Sequence, residues 1–313
     1  MTLTTSATFS LTTDQAELME RAVAYENASL SPNTIRTYKS MWSKFDCWCK
    51  SNEIQSLPCS AEAVALYLSS LGDSVSFSTL DSTIAAIEAA HEKAGQAIKG
   101  DSALYRRVRR GIRRTHKEQQ TLKQAPALTP FDIKGACCKL GDSLKDLRDK
   151  ALLTVAFFGA LRRSEVSALD VQHVDFTDKG AAISIMQSKT SDTKQTVYLS
   201  FARDQDICPV KALKAWLEAS GINEGAIFRS FQKGGRISSR LSGHSVSAII
   251  KDYFGEEYSG HSARRGLVTA SAEKGTSMHI IKKHSRHKSA DMVLRYVEDS
   301  KGFEDSAVKI LGV

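Results

Sequence analysis

The stretch 102–117, "SALYRRVRRGIRRTHK", most restricts how this chain can be built. Leu104, Val108 and Ile112 recur every fourth residue as one narrow apolar stripe of a helix, and around it stand Arg106, Arg107, Arg109, Arg110, Arg113, Arg114 and Lys117. Like charges at helical spacing repel and cost helix stability unless a counter-ion is present. Two readings stand: a solvated helix face, or a surface whose counter-ions come from a polyanion. Directly after it, "KEQQTLKQAPA" is polar and ends at Pro126, the composition of a linker. The chain therefore divides here in two.

Before the division every periodic segment has helical spacing. "TDQAELMERAVAYENAS" carries Leu18, Ala22 and Tyr25 on one face, and "SPNTIRTYKSMWSKFDCWCK" opens with the cap pair Ser31 and Pro32 and repeats Ile35, Tyr38, Trp42 and Phe45. "SAEAVALYLSSLG" and "SFSTLDSTIAAIEAAHEKAG" follow as further helices. The expectation is a helical bundle over 12–117, preceded by a Thr- and Ser-rich mobile tail over 1–11 and followed by a linker over 118–127.

The second part, from about Leu128, is mixed. "TPFDIKGACCKLG", "SLKDLRDKALLTVAFFGAL" and "PVKALKAWLEASG" have helical patterns. Between the last two, "AAISIMQS" and "KQTVYLS" flank the polar "KTSDT" as a hairpin would, and after Ser242 the spacing is helical to the end. The fold class expected is mostly α with a small β component.

Charge indicates the kind of partner. The 313 residues hold 43 Lys and Arg against 35 Asp and Glu, a formal charge of +8. Such a balance favours a polyanion, with nucleic acid the leading candidate. No apolar run approaches the ~20 residues of a membrane span, so no membrane partner is expected. The six cysteines show no paired C-x-x-C spacing and read as reduced thiols of a cytoplasmic protein. His279, His284 and His287 in "HIIKKHSRH" lack an acidic or cysteine ligand nearby, so no metal is expected.

Several features of the second part are ambiguous one at a time. Arg162 and Glu165 in "GALRRSEVSALDVQHVD" have the i, i+3 spacing of an ordinary ion pair on a helix face. Lys189 in the hairpin loop "QSKTSD" could be a solvated turn residue, and Tyr296, nine residues after His287, could be a packed aromatic. "GHSARRG" is harder to read as structural. It crowds His261, Arg264 and Arg265 at a helix start, where cations oppose one another and the helix dipole unless an anion lies between them.

In order, Arg162, Lys189, His261, Arg264, His287 and Tyr296 resemble the active site of the tyrosine recombinases, the phage integrase family, with "GHSARRG" closest to the Cre type. "GALRRSE" resembles the family's first arginine box, with Glu165 as supporting acid, and "QSKT" its lysine hairpin. The resemblance implies a core-binding domain over 12–117 and a catalytic domain over 128–302, together forming a C-shaped clamp on double-stranded DNA. It implies a nucleophilic Tyr296 that forms a 3′-phosphotyrosyl linkage, Arg162 and Arg264 on the phosphate, His261 as base, Lys189 as acid and His287 as a donor to a phosphoryl oxygen. Neither metal nor ATP is required. Further implications are an inverted-repeat site, a dimer on one site, a tetramer in the synapse, and a phage or mobile-element origin in a prokaryote. "FEDSAVKILGV" over 303–313 is a short amphipathic segment expected to dock on a neighbouring subunit. In this chain Arg286 stands where many members have Gly, and Arg265 lies outside the catalytic pattern, as a phosphate or packing contact. A type IB topoisomerase and a catalytically silent DNA-binding protein are the competing readings.

Overall fold

The computed structural model describes residues 13–72, 74–116, 125–185 and 195–287, with 289 and 294. The chain forms two compact units, divided between Lys123 and Gln124.

The described elements of the first unit are five helices, α1 Thr13–Ala28, α2 Pro32–Ser51, α3 Ala61–Leu71, α4 Phe77–Lys93 and α5 Ala103–Thr115, with one isolated β-bridge between Ser60 and Lys99. Ser31, Ser60 and Ser76 each accept a backbone N–H three residues on, which fixes the starts of α2, α3 and α4. Phe45, Val64, Leu68, Leu80 and Ile87 form the core, and the α5 stripe of Leu104, Val108 and Ile112 closes against it. The expected face of α1 forms but is not covered, since Leu18 and Tyr25 are 59% and 67% exposed. The charges of α5 also differ from expectation, because part of the counter-ion is internal. Arg106 pairs with Glu88 at 3.0 Å, Arg107 with Asp101 at 3.1 Å, and Arg109 with Asp81. Arg113 lies over the Phe77 ring, and Arg110 and Arg114 are exposed. Lys117 lies outside the described residues.

The second unit is organised around α7 Leu144–Phe158, whose residues from Ala151 to Phe157 are buried without interruption. A helix apolar on every side belongs in the middle of a core. Around it pack α6 Pro130–Cys137, α9 Pro209–Ser220 and α11 Ser262–Glu273, with the Trp216 indole of α9 donating to the Ile227 carbonyl at 2.9 Å. The expected hairpin is β2 Gly180–Ile185 against β3 Gln195–Ser200, antiparallel, with Gly180 opposite Ser200 and Ile185 opposite Gln195. Val197 and Leu199 of β3 point into the core while their neighbours face outward, the alternation that made the strand visible in the sequence. Two features were not expected: β1 Val174–Thr177 extends this sheet, and β4 Arg229–Phe231 pairs with β5 Ile237–Arg240 in a second one. Both additions consist of strands too short to show a period. The helices α8 Arg163–Ala168, α10 Gly243–Phe254 and α12 Met278–Ser285 complete the unit.

Two glycines bracket the box at the start of α11. A Cβ on Gly260 would lie 2.7 Å from the Arg163 Cβ, and one on Gly266 would lie 1.8 Å from the Leu128 carbonyl oxygen. These contacts bring α8 and the entry to α6 against α11. Gly266→Ala should accordingly destabilise the second unit by about 3 kcal/mol, the upper range of overpacking, seen as a lower denaturant midpoint. An unchanged midpoint would show that the Leu128 backbone moves aside freely.

Candidate active site

The site grows from the way α7 ends. The Ala160 N–H bonds the Phe157 carbonyl at 2.9 Å and the Leu161 N–H bonds the Ala156 carbonyl at 3.0 Å, a Schellman-type stop with Ala160 at φ 45°. This turn leaves the carbonyls of Phe158, Gly159 and Ala160 available to side chains. Each takes a donor of a basic residue: His284 Nε2 reaches the Phe158 oxygen at 2.7 Å, Arg286 Nη1 the Gly159 oxygen at 3.3 Å, and Arg264 Nη1 the Ala160 oxygen at 2.8 Å. Arg286 Nη2 also reaches the Ala160 oxygen, at 3.2 Å. A helix C-terminus is a partial negative charge, so cations gather there favourably.

Immediately after this turn comes Arg162. It is not on a helix face, as the i, i+3 spacing suggested, but caps the start of α8 in extended conformation. Glu165, in the first turn of α8, is buried and takes three donors: the Arg162 backbone N–H at 2.8 Å, Arg162 Nη1 at 2.6 Å and Arg286 Nη2 at 2.8 Å. Burial alone would raise the Glu165 carboxyl, but Arg286 and then Arg162 outweigh it and hold it below the ordinary value.

His261 is the N-cap residue of α11 and is exposed, whereas Arg264, one turn in, is buried. The protein packed on one side of the His261 ring, followed by the charges of Arg264, Arg163 and Arg162, depresses its pKa, which favours the neutral base. Arg265 donates to the Ala125 carbonyl at 2.7 Å, a packing contact.

His287 follows α12. The Ser285 hydroxyl donates to the Ile281 carbonyl at 2.6 Å, so the oxygen it presents 2.6 Å from His287 Nδ1 is an acceptor. The ring proton therefore sits on Nδ1, and Nε2 of the neutral ring is an acceptor. Burial, with Arg264, Arg162, Arg286 and His261 adding to it, pushes the His287 pKa down to about 4. The expected donor role of His287 accordingly needs a proton that the DNA-free protein does not hold at neutral pH.

Arg162, Glu165, His261, Arg264 and His287 are thus brought to one place by α8, α11 and the end of α12. Lys189 and Tyr296 lie outside the described residues. Three participants were missed: the Ala160 carbonyl, Ser285, and Arg286 as a partner of Glu165. The sequence shows Arg286 only as a surplus charge, and its partner stands 121 positions away. Among the described residues no group of three His, Cys, Asp or Glu side chains is arranged to hold a metal, and no helix is long and apolar enough to cross a membrane.

The phage integrase family matches residues 127–302. An integrase/recombinase XerD homolog of Selenomonas ruminantium is 32% identical over 291 residues, 90% of this chain and 85% of that protein. Recombinase Cre of Escherichia phage P1 is 25% identical over 312 residues, 91% of this chain and 90% of that protein. The identity is higher to the XerD homolog, so the expected particular closeness to the Cre type is not established. In fold, the chain resembles lambda integrase in a dimer bound to a core site, with a TM-score of 0.58 at 16% identity, covering 91% of this chain and 95% of that one. It also resembles the XerH recombinase on its difH substrate before cleavage, with a TM-score of 0.54 at 15% identity, covering 85% of this chain and 76% of that one. With its two arginines and two histidines gathered at the end of α7, the chain belongs to the phage integrase family and is a tyrosine-type site-specific DNA recombinase.

Proposed function

We propose that the protein cuts and rejoins double-stranded DNA at an inverted-repeat site with Tyr296 as nucleophile. The observation that carries this reading is that Arg162 follows the turn ending α7, Arg264 bonds that turn's Ala160 carbonyl, and His261 and His287 both stand within the field of these two arginines. Tyr296 Oη attacks phosphorus and the bond to the 5′ oxygen breaks, leaving a 3′-phosphotyrosyl diester. The phenol proton passes to neutral His261, and Lys189 supplies the proton of the departing 5′-hydroxyl. Rejoining runs the same transfers backwards with another strand's hydroxyl, so the bond energy is conserved and no ATP is consumed. Arg162 and Arg264 supply fixed positive charge where the phosphoryl oxygens gain negative charge. A phosphate beside His287 raises its proton affinity, and the ring then donates through Nε2.

Covalent capture tests the nucleophile. After incubation with DNA from the source and denaturation in detergent, the wild type should retain DNA whose ends share an inverted-repeat motif, and Tyr296→Phe should retain none. Equal retention by both removes Tyr296 from the mechanism.

Arg110 and Arg114, exposed and outside the ion pairs named above, are within this reading the first candidates for DNA contact. Each phosphate contact contributes about −0.9 to the slope of log affinity against log salt. Replacing both by Ala should flatten the slope by about 1.8. An unchanged slope would move the DNA surface elsewhere.

The self-association expected from the family also has a candidate seat. An apolar groove of about 400 Å³ lies between β3, α11 and α12, lined by Phe158, Tyr198, Leu267, Val268, Ile280 and Ile281. Its composition suits Phe303, Ala307 and Ile310 or Leu311 of "FEDSAVKILGV" from a neighbouring copy. A dimer on each site and a tetramer in the synapse follow if each copy passes this segment to the next. Deleting 303–313 should leave half-site affinity within threefold of wild type and abolish recombination between two sites. Unimpaired recombination would overturn the docking.

A further inference from the structure

We infer that Arg286 is a positioning residue for the strand-cleavage step, acting through Glu165 on Arg162; this deepens the reading of the site given above. Arg286 occupies the left-handed region, at φ 58° and ψ 40°, where a side chain is disfavoured and glycine is not. Glycine would suit the backbone better, so the guanidinium must repay the strain. Its contacts indicate how. Nη2 meets Glu165 Oε2 at 2.8 Å with both side chains almost wholly buried, while Nη1 and Nη2 hold the carbonyls of Gly159, Ala160 and His284.

The charges explain why the pair matters. A buried carboxylate with too little positive charge beside it takes up a proton, and a protonated Glu165 would exchange its ion pair with Arg162 for a weaker neutral bond. The charge of Arg286 opposes that outcome, together with the backbone N–H and the guanidinium of Arg162. Because one carboxylate oxygen goes to Arg286 and the other to Arg162 Nη1, Glu165 is pinned from below while it aims Arg162 outward. Arg162 remains 29% exposed in its side chain, able to meet a phosphate, whereas Arg286 at 3% is not. Arg286 therefore touches no substrate, yet it fixes the guanidinium that does. It also ties the segment bearing His287, its chain neighbour, to the Ala160 carbonyl that Arg264 holds.

Arg286→Gly separates backbone from charge. A merely structural role, filling a turn, predicts a variant at least as active as wild type. The positioning role predicts that, on the half-site recovered by covalent capture and at saturating protein, the rate of adduct formation falls 10- to 100-fold while half-site affinity stays within threefold. Arg286→Lys, which keeps the charge and loses the fork, should recover part of the rate. Glu165→Gln should cost little more in the Arg286→Gly background, since the two changes break the same link. A rate within twofold of wild type in Arg286→Gly, or rate losses of Arg286→Gly and Glu165→Gln that multiply, would overturn the inference. A second readout needs no DNA. In ¹⁵N spectra the Arg162 guanidinium should rotate slowly in the wild type and average rapidly in Arg286→Gly and, to a lesser degree, in Arg286→Lys. An unaltered Arg162 signal in both variants sinks the inference even if the proposed chemistry stands. Conversely, a wild type that forms no adduct while its Arg162 signal still depends on Arg286 counts against the chemistry and not against the positioning.

Discussion

The arrangement of this protein's catalytic unit depends on how one helix stops. The C-terminal half of α7 is buried on every side, and its last carbonyls would be unsatisfied in the core if nothing reached them. The turn at Ala160 satisfies two carbonyls through backbone bonds and hands the next three to His284, Arg286 and Arg264. Burial of those carbonyls and placement of the cations are the same event. Loss of Arg286 from the end of α7 would strand the Gly159 carbonyl in the core, at a cost of about 1–3 kcal/mol, so that guanidinium is held before any phosphate arrives.

The same economy governs the one carboxylate at the centre. Glu165 meets two guanidiniums, and a single negative charge cannot neutralise both. The remaining positive charge falls on Arg162, the more exposed of the two, in surroundings of low polarisability where it attracts an anion more strongly than it would in water. Depressed histidine pKa values belong to the same field. His261 and His287 stay neutral because neighbouring cations and burial disfavour another charge, and an incoming phosphate reverses part of that field. Anion binding and proton affinity are thereby linked: an anion beside Arg162 and Arg264 raises the proton affinity of both rings.

How much of this was legible in the sequence follows from the distance over which each feature is decided. The helices of both units were readable, because caps such as Ser31 and Thr129 and stripes such as Leu104, Val108 and Ile112 lie within a few residues of what they specify. "GHSARRG" was readable as a helix start for the same reason, and its two glycines now have a cause in the approach of Arg163 and Leu128. Features decided between distant segments were not. The α5 arginines looked unpartnered because Asp81 and Glu88 stand on another helix, and Arg286 looked surplus because Glu165 belongs to α8. The two-stranded sheet of β4 and β5 escaped because strands of three and four residues carry no period.

This difference between local and distant specification also accounts for what a family pattern can and cannot convey. A box such as "GALRRSE" or "GHSARRG" is read from residue types a few positions apart, whereas what holds those residues in place is contributed by distant segments. In this chain the residue before His287 carries a buried guanidinium at a position the left-handed backbone would leave to glycine, and its counter-charge is the same Glu165 that orients Arg162. The support for Arg162 has thereby been extended to the segment bearing His287. Two parts of the site that the sequence presents as separate boxes are joined by a single carboxylate and the carbonyls at the end of α7.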